Sequence, residues 1–319
     1  MRDETTKPRV LIIGIGGQDA QILAKLYTQD SAIVFGVSRT AIHPSLRLND
    51  VSYLVEDLSN PANFAQVLGA INPDFVFHLA AIHGSNTEMK QVEQKLSTEM
   101  RQCHVEITRN ILNWQSKRSH VKSLFALSSF LYTPSAPRQL IDLSTNFQPQ
   151  GIYGQTKLEA LNLIRTYRDN HHVNSIGAIL FNHSSRHSKP SFLIPSIARN
   201  LTEMLGNKGP IKITNSERLV DISRAENFCE AFKFLMRTSV NKDYIFSSGK
   251  LVSIRNLYEQ SLSRVAPHLL EQALFDYQGI DLPSMYGDTS EISAIIDWKG
   301  GGDLSETILE IAEIKSRYK

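Results

Sequence analysis

Tyr153 and Lys157 lie four residues apart in Gly-Ile-Tyr-Gly-Gln-Thr-Lys, far downstream of the turn Gly14-Ile-Gly-Gly17. Side chains at i and i+4 share one face of a helix. An ammonium beside a phenol favours phenolate, so the pair predicts a tyrosine that exchanges protons near neutral pH. A base of this kind, downstream of a dinucleotide-binding turn, suits hydride transfer at a carbinol carbon. Tyr-x-x-x-Lys alone would equally fit a solvated helix face, so the neighbouring segments have to decide.

Gly14-Ile-Gly-Gly17-Gln18-Asp19-Ala20 follows an apolar run and opens a helical pattern, the context in which a dinucleotide fingerprint acts. Glycines there close the turn and let backbone approach a pyrophosphate, while the helix N-terminus supplies amides and positive dipole. The spacing Gly-x-x-Gly-x-x-Ala differs from the commoner Gly-x-Gly-x-x-Gly. The second apolar run ends Gly36-Val-Ser38-Arg39-Thr40, without the carboxylate that NAD-selective sites use for the ribose 2′-hydroxyl. Ser38 and Arg39, with Arg47 assisting, would suit a 2′-phosphate through charge-assisted hydrogen bonds, which favours NADP over NAD. Asp57-Leu58 follows the third run, where a carboxylate can accept from an adenine amino group. Leu79-Ala80-Ala81 ends the fourth and offers small side chains where backbone must pass close to a cofactor. Each could be plain packing; their order along the chain is the evidence.

The elements that must position these residues alternate. Strands are predicted at Arg9–Ile13, Ala32–Val37, Val51–Val55, Asp74–Leu79, Ser123–Leu127 and Ser175–Phe181. Helical patterns fall at Gln18–Tyr27, Pro61–Ile71, Lys95–Trp114 and Leu158–Tyr167, the last continuing the helix of the Tyr/Lys pair. This is the signature of βαβ units and a doubly wound parallel sheet, a Rossmann-type α/β fold. After about residue 182 the texture becomes polar and broken, with a helix at Pro190–Leu205, short strands at Lys212–Thr214 and Asp243–Phe246, and an irregular segment at Met285–Gly302. The expected division is a nucleotide-binding domain over 1–181 with parts of 216–250, and a smaller C-terminal α/β substrate lobe over 182–215 and 251–319.

With 319 residues, 41% hydrophobic and 21% charged, the composition is ordinary for a globular chain. A net charge of +2 makes no electrostatic case for nucleic acid or an anionic membrane, and clusters such as Lys117-Arg118 and Lys315–Lys319 read as solvated faces. Cys103 and Cys229 form no disulfide framework or metal spacing. No stretch reaches transmembrane length and Met1–Pro8 carries no apolar signal region, so a reduced cytoplasm is the expected setting. His171-His172 reads as a solvated pair, and His183 with His187 lacks a carboxylate to complete a metal site.

From about residue 9 to residue 265 the chain resembles the extended short-chain dehydrogenase/reductase family, in its GDP-mannose 4,6-dehydratase branch. The resemblance rests on the turn at Gly14, on Arg39 and Arg47, on Asn72-Pro-Asp and His78-Leu-Ala-Ala81, and on Tyr153-Gly-Gln-Thr-Lys157-Leu. Ile179-Leu-Phe181-Asn182-His183 and Ser248-Gly249 with Ser253-Ile-Arg255 extend it. It implies Tyr153 as general base toward a sugar hydroxyl, Lys157 on the nicotinamide ribose, and Ser128 hydrogen-bonded to the same hydroxyl, with Ser129 beside it. It places Asn182 and His183 between cofactor and substrate pyrophosphate and Phe181 against the cofactor, and implies a nucleoside-diphosphate sugar, GDP-linked, and a homodimer or homotetramer.

Departures from the pattern bear on the reaction. The branch carries a glutamate two residues after its catalytic Ser/Thr, where this chain has Phe130, and a phenyl ring transfers no proton. The branch's Asn-His-Glu-Ser-Pro-Arg-Arg becomes Asn182-His-Ser-Ser-Arg-His-Ser188, and its diphosphate-gripping Arg-Asp-Trp becomes Val220-Asp221-Ile222, leaving Arg218 two positions away as the substrate-binding arginine. The expected activity is hydride transfer at the sugar C4, as a 4-ketosugar reductase, a 4-dehydrogenase or an epimerase. The alternatives are a 4,6-dehydratase whose acid is supplied elsewhere, by Asp142 for example, and a non-catalytic NADP-binding sensor.

Overall fold

Val10-Leu-Ile-Ile13 is apolar at every position because both faces of its strand are covered, and all four residues are buried. A computed structural model describes residues 7–83, 96–206, 210–276, 282–298 and 300–313; Lys95, Lys299, the first six residues and the basic run 315–319 lie outside the described residues. The chain begins β1 (Arg9–Ile13), α1 (Gln18–Gln29), β2 (Ile33–Ser38), β3 (Val51–Val55), α2 (Pro61–Ile71) and β4 (Phe75–His78). It continues α3 (Ser97–Arg101), a π-helical turn (Gln102–Glu106), α4 (Ile107–Gln115) and β5 (Lys122–Ala126). Then come β6 (Gln139–Ile141), α5 (Gly151–His171) and β7 (Asn174–Leu180); β12 (Asp243–Phe246) lies much further along. One seven-stranded sheet runs β12-β7-β5-β4-β1-β2-β3. β1 pairs in parallel with both β2 and β4, Ile13 standing beside Val37 on one side and His78 on the other. Strand order reverses at this point, and in open α/β sheets the crevice beyond such a reversal is where ligands bind. The Rossmann-type sheet expected from the alternating pattern is therefore present.

The chain divides into two compact units. The first contains residues 1–133, 146–180 and 228–244; the second contains 134–145, 181–227 and 245–319. Within the first, charged side chains at the strand ends are buried together with their partners. Lys122 donates from Nζ to the Leu235 and Thr238 carbonyls at 2.7 Å each, and burial pushes its ammonium down to about 8. Asp243 receives Arg165 at 2.7 Å and Arg168 at 2.9 Å. No helix among the described residues is long and apolar enough to cross a membrane.

The predicted helix Lys95–Trp114 is not one regular helix. A π-helical turn at Gln102–Glu106 separates α3 from α4, closed by Ile107 N–H donating to the Gln102 carbonyl. Such turns arise where one extra residue is fitted into a helix, which sequence periodicity does not reveal.

The second unit holds β6, β8 (Asn182–Ser184), β9 (Ile211–Ile213), β10 (Leu219–Val220), β11 (Ile222–Arg224), β13 (Val252–Ser253), β14 (Ala273–Phe275) and β15 (Met285–Gly287) as two-stranded pairs. Its core gathers Ile197, Leu201, Leu257, Leu262 and Ile308, all nearly inaccessible. Asp221 is buried within this unit. It accepts the Ser247 hydroxyl, Ser248 N–H at 2.8 Å and Gly287 N–H at 3.1 Å. Burial raises the carboxyl pKa while these bonds lower it. The expectation of an irregular Met285–Gly302 is corrected here: β15 pairs in parallel with β6, and Ser290–Ser293 is helical. That strand is fixed by a partner some 146 positions earlier, as in Arg138 N–H to Ser284 Oγ at 3.0 Å, and has no local signal. The helix expected from Pro190 begins at Leu193.

Removing the Asp221 carboxylate would take the acceptor from Ser248 N–H, at about 1–3 kcal/mol if unsatisfied, and would leave Gly287 N–H only Ser247 Oγ at 3.0 Å and the Ser247 hydroxyl only the Gly287 carbonyl at 3.1 Å. Asp221→Ala is expected to lower the guanidinium unfolding free energy by roughly 3 kcal/mol. An unchanged midpoint in equilibrium denaturation would show that the donors find other partners.

Candidate active site

Ser128, Tyr153 and Lys157 meet beyond the C-terminal end of β5. Ser128 is extended and caps a 3-10 turn, Ser129–Leu131, accepting Phe130 N–H at 3.2 Å. α5 enters over that turn, with Gln150 N–H on the Phe130 carbonyl at 2.8 Å. A Cβ at position 154 would lie 2.4 Å from the same carbonyl, so the glycine after Tyr153 permits the close approach. Tyr153 and Lys157 then face the sheet from consecutive turns, 6% and 3% exposed, with Ser128 at 8%.

The electrostatics differ from the expectation. Burial is the largest influence on Tyr153 and pushes its phenol well above 10, with the hydrogen bond to Ser128 opposing it. Lys157 does not offset that. Its Nζ donates to the Ala126 carbonyl at 2.8 Å and stands 5.8 Å from the Tyr153 ring centre, and burial brings its ammonium down to about 8. At neutral pH this is a protonated phenol beside an ammonium that gives up its proton more easily than an exposed lysine.

Of the rings around Tyr153, the sequence singled out Phe130 for its chemistry but neither His83 nor His104. His83 stacks on it at 4.6 Å, His104 meets it edge-on at 5.3 Å, and Phe130 edge-on at 5.5 Å. Met100 is buried beside it. A signal for His104 existed: with Met100, Ile107 and Ile111 it falls on the apolar face of its helical pattern, a polar residue where burial is expected. His78 is also buried; its Nε2 bonds the Cys103 carbonyl at 3.0 Å and its Nδ1 has no hydrogen-bond partner among the described residues.

At the sheet's switch point, Gly14 has φ +91°, and a Cβ there would lie 2.6 Å from the Ala80 backbone. Gly14 N–H bonds the Val37 carbonyl and Leu79 N–H the Ile13 carbonyl, drawing together β1, β2 and the Leu79-Ala80-Ala81 exit of β4. α1 has Gly17 as its N-cap, with no side chain capping it, and carries Asp19 in its first turn, where Gln18 Nε2 bonds Asp19 Oδ1 at 3.1 Å. A backbone turn without Cβ atoms leading to a helix N-terminus suits a pyrophosphate. Ser38 ends β2 and bonds the Thr40 carbonyl at 2.7 Å; Arg39 is exposed, and Arg47 lies 5.2 Å over the Tyr53 ring. Asp57 accepts the Ser59 hydroxyl at 2.7 Å and its N–H at 3.0 Å, while Leu58 is buried in the core.

The remaining candidates belong to the second unit. Phe181 N–H bonds the Phe246 carbonyl at 2.8 Å, Asn182 donates to the Asp221 carbonyl at 3.0 Å, and His183 Nδ1 bonds the Phe181 carbonyl at 2.8 Å. Arg218 is exposed, its N–H on the Asn215 carbonyl. No cluster of His, Cys, Asp or Glu able to hold a metal ion occurs among the described residues.

Residues 11–308 match the family model of GDP-mannose 4,6 dehydratase. A GDP-mannose 4,6-dehydratase of Vibrio cholerae is 22% identical over 290 residues, covering 86% of this chain and 76% of that relative. Among solved structures, UDP-glucose 4-epimerase of Thermotoga maritima, with UDP-glucose, superposes with a TM-score of 0.80 at 13% identity, over 95% of this chain and 97% of that one. dTDP-glucose 4,6-dehydratase of Bacillus anthracis, in complex with NAD, gives 0.78 at 14%, over 95% and 96%.

Two buried imidazoles set a pH dependence. Burial lowers His78 to about 3, and holds His104 well below the usual 6.5, each with Lys157 as the next cause. Both are neutral when folded and protonated when unfolded below pH 6.5, so the unfolded chain binds more protons and acid destabilises the fold. Stability is expected to fall by about 1.4 kcal/mol per pH unit for His78 as pH drops from about 6.5 toward 3, with His104 steepening the fall below about 6.5. Urea unfolding at stepped pH measures this; a flat profile from about pH 6.5 to about pH 5 would contradict it.

Proposed function

The chain belongs to the GDP-mannose 4,6-dehydratase family, and on that premise we propose that it transfers hydride at C4 of a nucleoside-diphosphate sugar, using NADP. The observation that carries this is the buried contact of Ser128 with Tyr153 and the lysine one turn on. The Gly14 cradle, which a Cβ would fill, supports a dinucleotide there. The end of β2 supports NADP: it carries Ser38 and Arg39, followed by Arg47, and no carboxylate. Gly17, Gln18 and Asp19 open the helix toward the pyrophosphate. Leu79, Ala80 and Ala81 line the close approach, and Asp57-Leu58 flank the adenine. The dinucleotide supplies or accepts the hydride. Tyr153 holds the proton exchanged with the oxygen at C4, Ser128 hydrogen-bonds that oxygen, and Lys157 binds the ribose. A phenol kept protonated by burial is a proton donor, which favours the reductive direction, 4-ketosugar to alcohol. Ser129, Phe181, Asn182, His183 and Arg218 are the proposed contacts to substrate and nicotinamide. A GDP-sugar is the favoured substrate, and a cytoplasmic homodimer or homotetramer the favoured form.

Elimination is disfavoured by two features. Phe130, at the position the family gives to glutamate, presents a ring edge to Tyr153. Asp142, the alternative acid, accepts from the Ser144 hydroxyl and Thr145 hydroxyl at 2.8 Å each, and these bonds lower its pKa. Its carboxylate form is the stable one, so it is a poor proton donor at neutral pH.

Tyr153→Phe is expected to slow NADPH oxidation by GDP-4-keto-6-deoxymannose by ~10²–10⁴-fold, with NADPH affinity kept within about twofold. Retained turnover would remove the tyrosine from the mechanism. Loss of water from GDP-mannose, followed by mass, would instead establish a dehydratase, and no turnover with any nucleotide sugar despite NADPH binding would establish a sensor. Arg39→Ala is expected to weaken NADPH about tenfold while leaving NADH unchanged, because a charge-assisted hydrogen bond contributes roughly 1.5 kcal/mol or more. Equal weakening of both cofactors by isothermal titration would reject the 2′-phosphate contact.

A further inference from the structure

His104 sits in the π-helical turn and joins three separate backbone segments. Ile82 N–H, which can only donate, reaches its Nε2 at 3.2 Å. Nε2 is therefore the acceptor, and the ring proton is on Nδ1, 2.8 Å from the Thr156 hydroxyl. Thr156 in turn donates to the Tyr153 carbonyl at 3.0 Å. The bonds from Ile82 through His104 and Thr156 to the Tyr153 carbonyl all run in one direction, each donor facing the next acceptor. The imidazole also meets the Tyr153 ring edge-on, and it is 1% exposed.

The π turn is built to hold this ring in place. The Cys103 carbonyl takes the His78 Nε2 at 3.0 Å, and the His104 carbonyl takes the Thr108 hydroxyl at 2.7 Å. Side-chain donors thus serve two carbonyls of the turn, and the extra residue rotates His104 toward α5. π turns inside helices occur frequently at functional sites.

We propose that His104 is a positioning residue that locks Tyr153, tying the exit of β4 to the first turns of α5 through its two ring nitrogens so that the phenol keeps one orientation. This rests on the reading of Tyr153 as the proton-exchanging group. The hydrogen bonds, not the bulk of the ring, set the geometry. Glutamine can reproduce them, with its carbonyl oxygen accepting from Ile82 and its amide donating to Thr156; leucine cannot.

The test uses the full chain with tyrosine labelled at ¹³Cζ, the Tyr153 resonance being identified by its absence in Tyr153→Phe. Two readouts are taken: that resonance, and single-turnover NADPH oxidation by GDP-4-keto-6-deoxymannose. His104→Leu and Thr156→Val are each expected to move or broaden the Tyr153 resonance and to slow hydride transfer by about tenfold or more, with NADPH affinity within about twofold. His104→Gln should restore the resonance and come within about threefold of the parent rate. An unmoved resonance and unchanged rate in Thr156→Val would overturn the proposal, as would a His104→Gln variant as impaired as His104→Leu. If His104→Leu does not fold, Thr156→Val decides, since it keeps shape and removes the hydroxyl. Should Tyr153→Phe itself keep its rate, the role of Tyr153 falls, while the resonance still reports whether His104 positions the ring.

Discussion

A phenol and an ammonium on consecutive turns of one helix, both withdrawn from water, are the constraint around which the first unit is arranged. Burying either without partners would cost several kcal/mol, and the structure answers each separately. Lys157 is anchored on the Ala126 carbonyl at the end of β5, and Ser128, two residues on, bonds the phenol. Strand β5 and its exit turn therefore define where both groups stand. Rings flank the phenol on three sides, and two nearby buried histidines, His78 and His104, are kept uncharged. A charged imidazole there would compete with the ammonium for the same low-dielectric space.

The nucleotide end answers a different demand. Pyrophosphate needs backbone amides and no side chains in the way, so the decisive residue is one that has no Cβ. Gly14 meets Ala80 at a distance no other residue would tolerate, and its positive φ turns β1 into α1. The polar residues at the β2 end are mostly exposed, with Arg47 lying over Tyr53, so selectivity for a 2′-phosphate would rest on side chains that a small change in sequence could redirect.

The sheet was legible in the sequence because its strands are continuous apolar runs alternating with amphipathic helices, and Tyr153 and Lys157 were legible because i and i+4 spacing translates directly into geometry. What escaped was non-local. β6 and β15 have no apolar run worth noticing and exist through each other, and the π turn hides inside a pattern whose apolar positions still look helical. The expected effect of Lys157 on Tyr153 failed for a physical reason: four residues of spacing fix a shared face, but burial depth, which dominates both groups, is a property of the packed unit.

Phe130 links the chemistry to the packing. On the proposed reading it stands where the family pattern has a carboxylate, and a charged group beside a buried phenol would raise that phenol's pKa further and would itself require solvation or a partner. A phenyl ring needs neither, and it packs edge-on with Tyr153, as His104 does from another side, while His83 stacks on the same phenol. The exchange thus favours a drier, more apolar setting for Tyr153, in which a proton donor acting on a polarised carbonyl is better served than an acid–base pair that must cycle charge. On the proposed reading, loss of elimination and support for carbonyl reduction would both follow from this one position, since a carboxylate there would move protons at neighbouring carbons and would also keep the site wet.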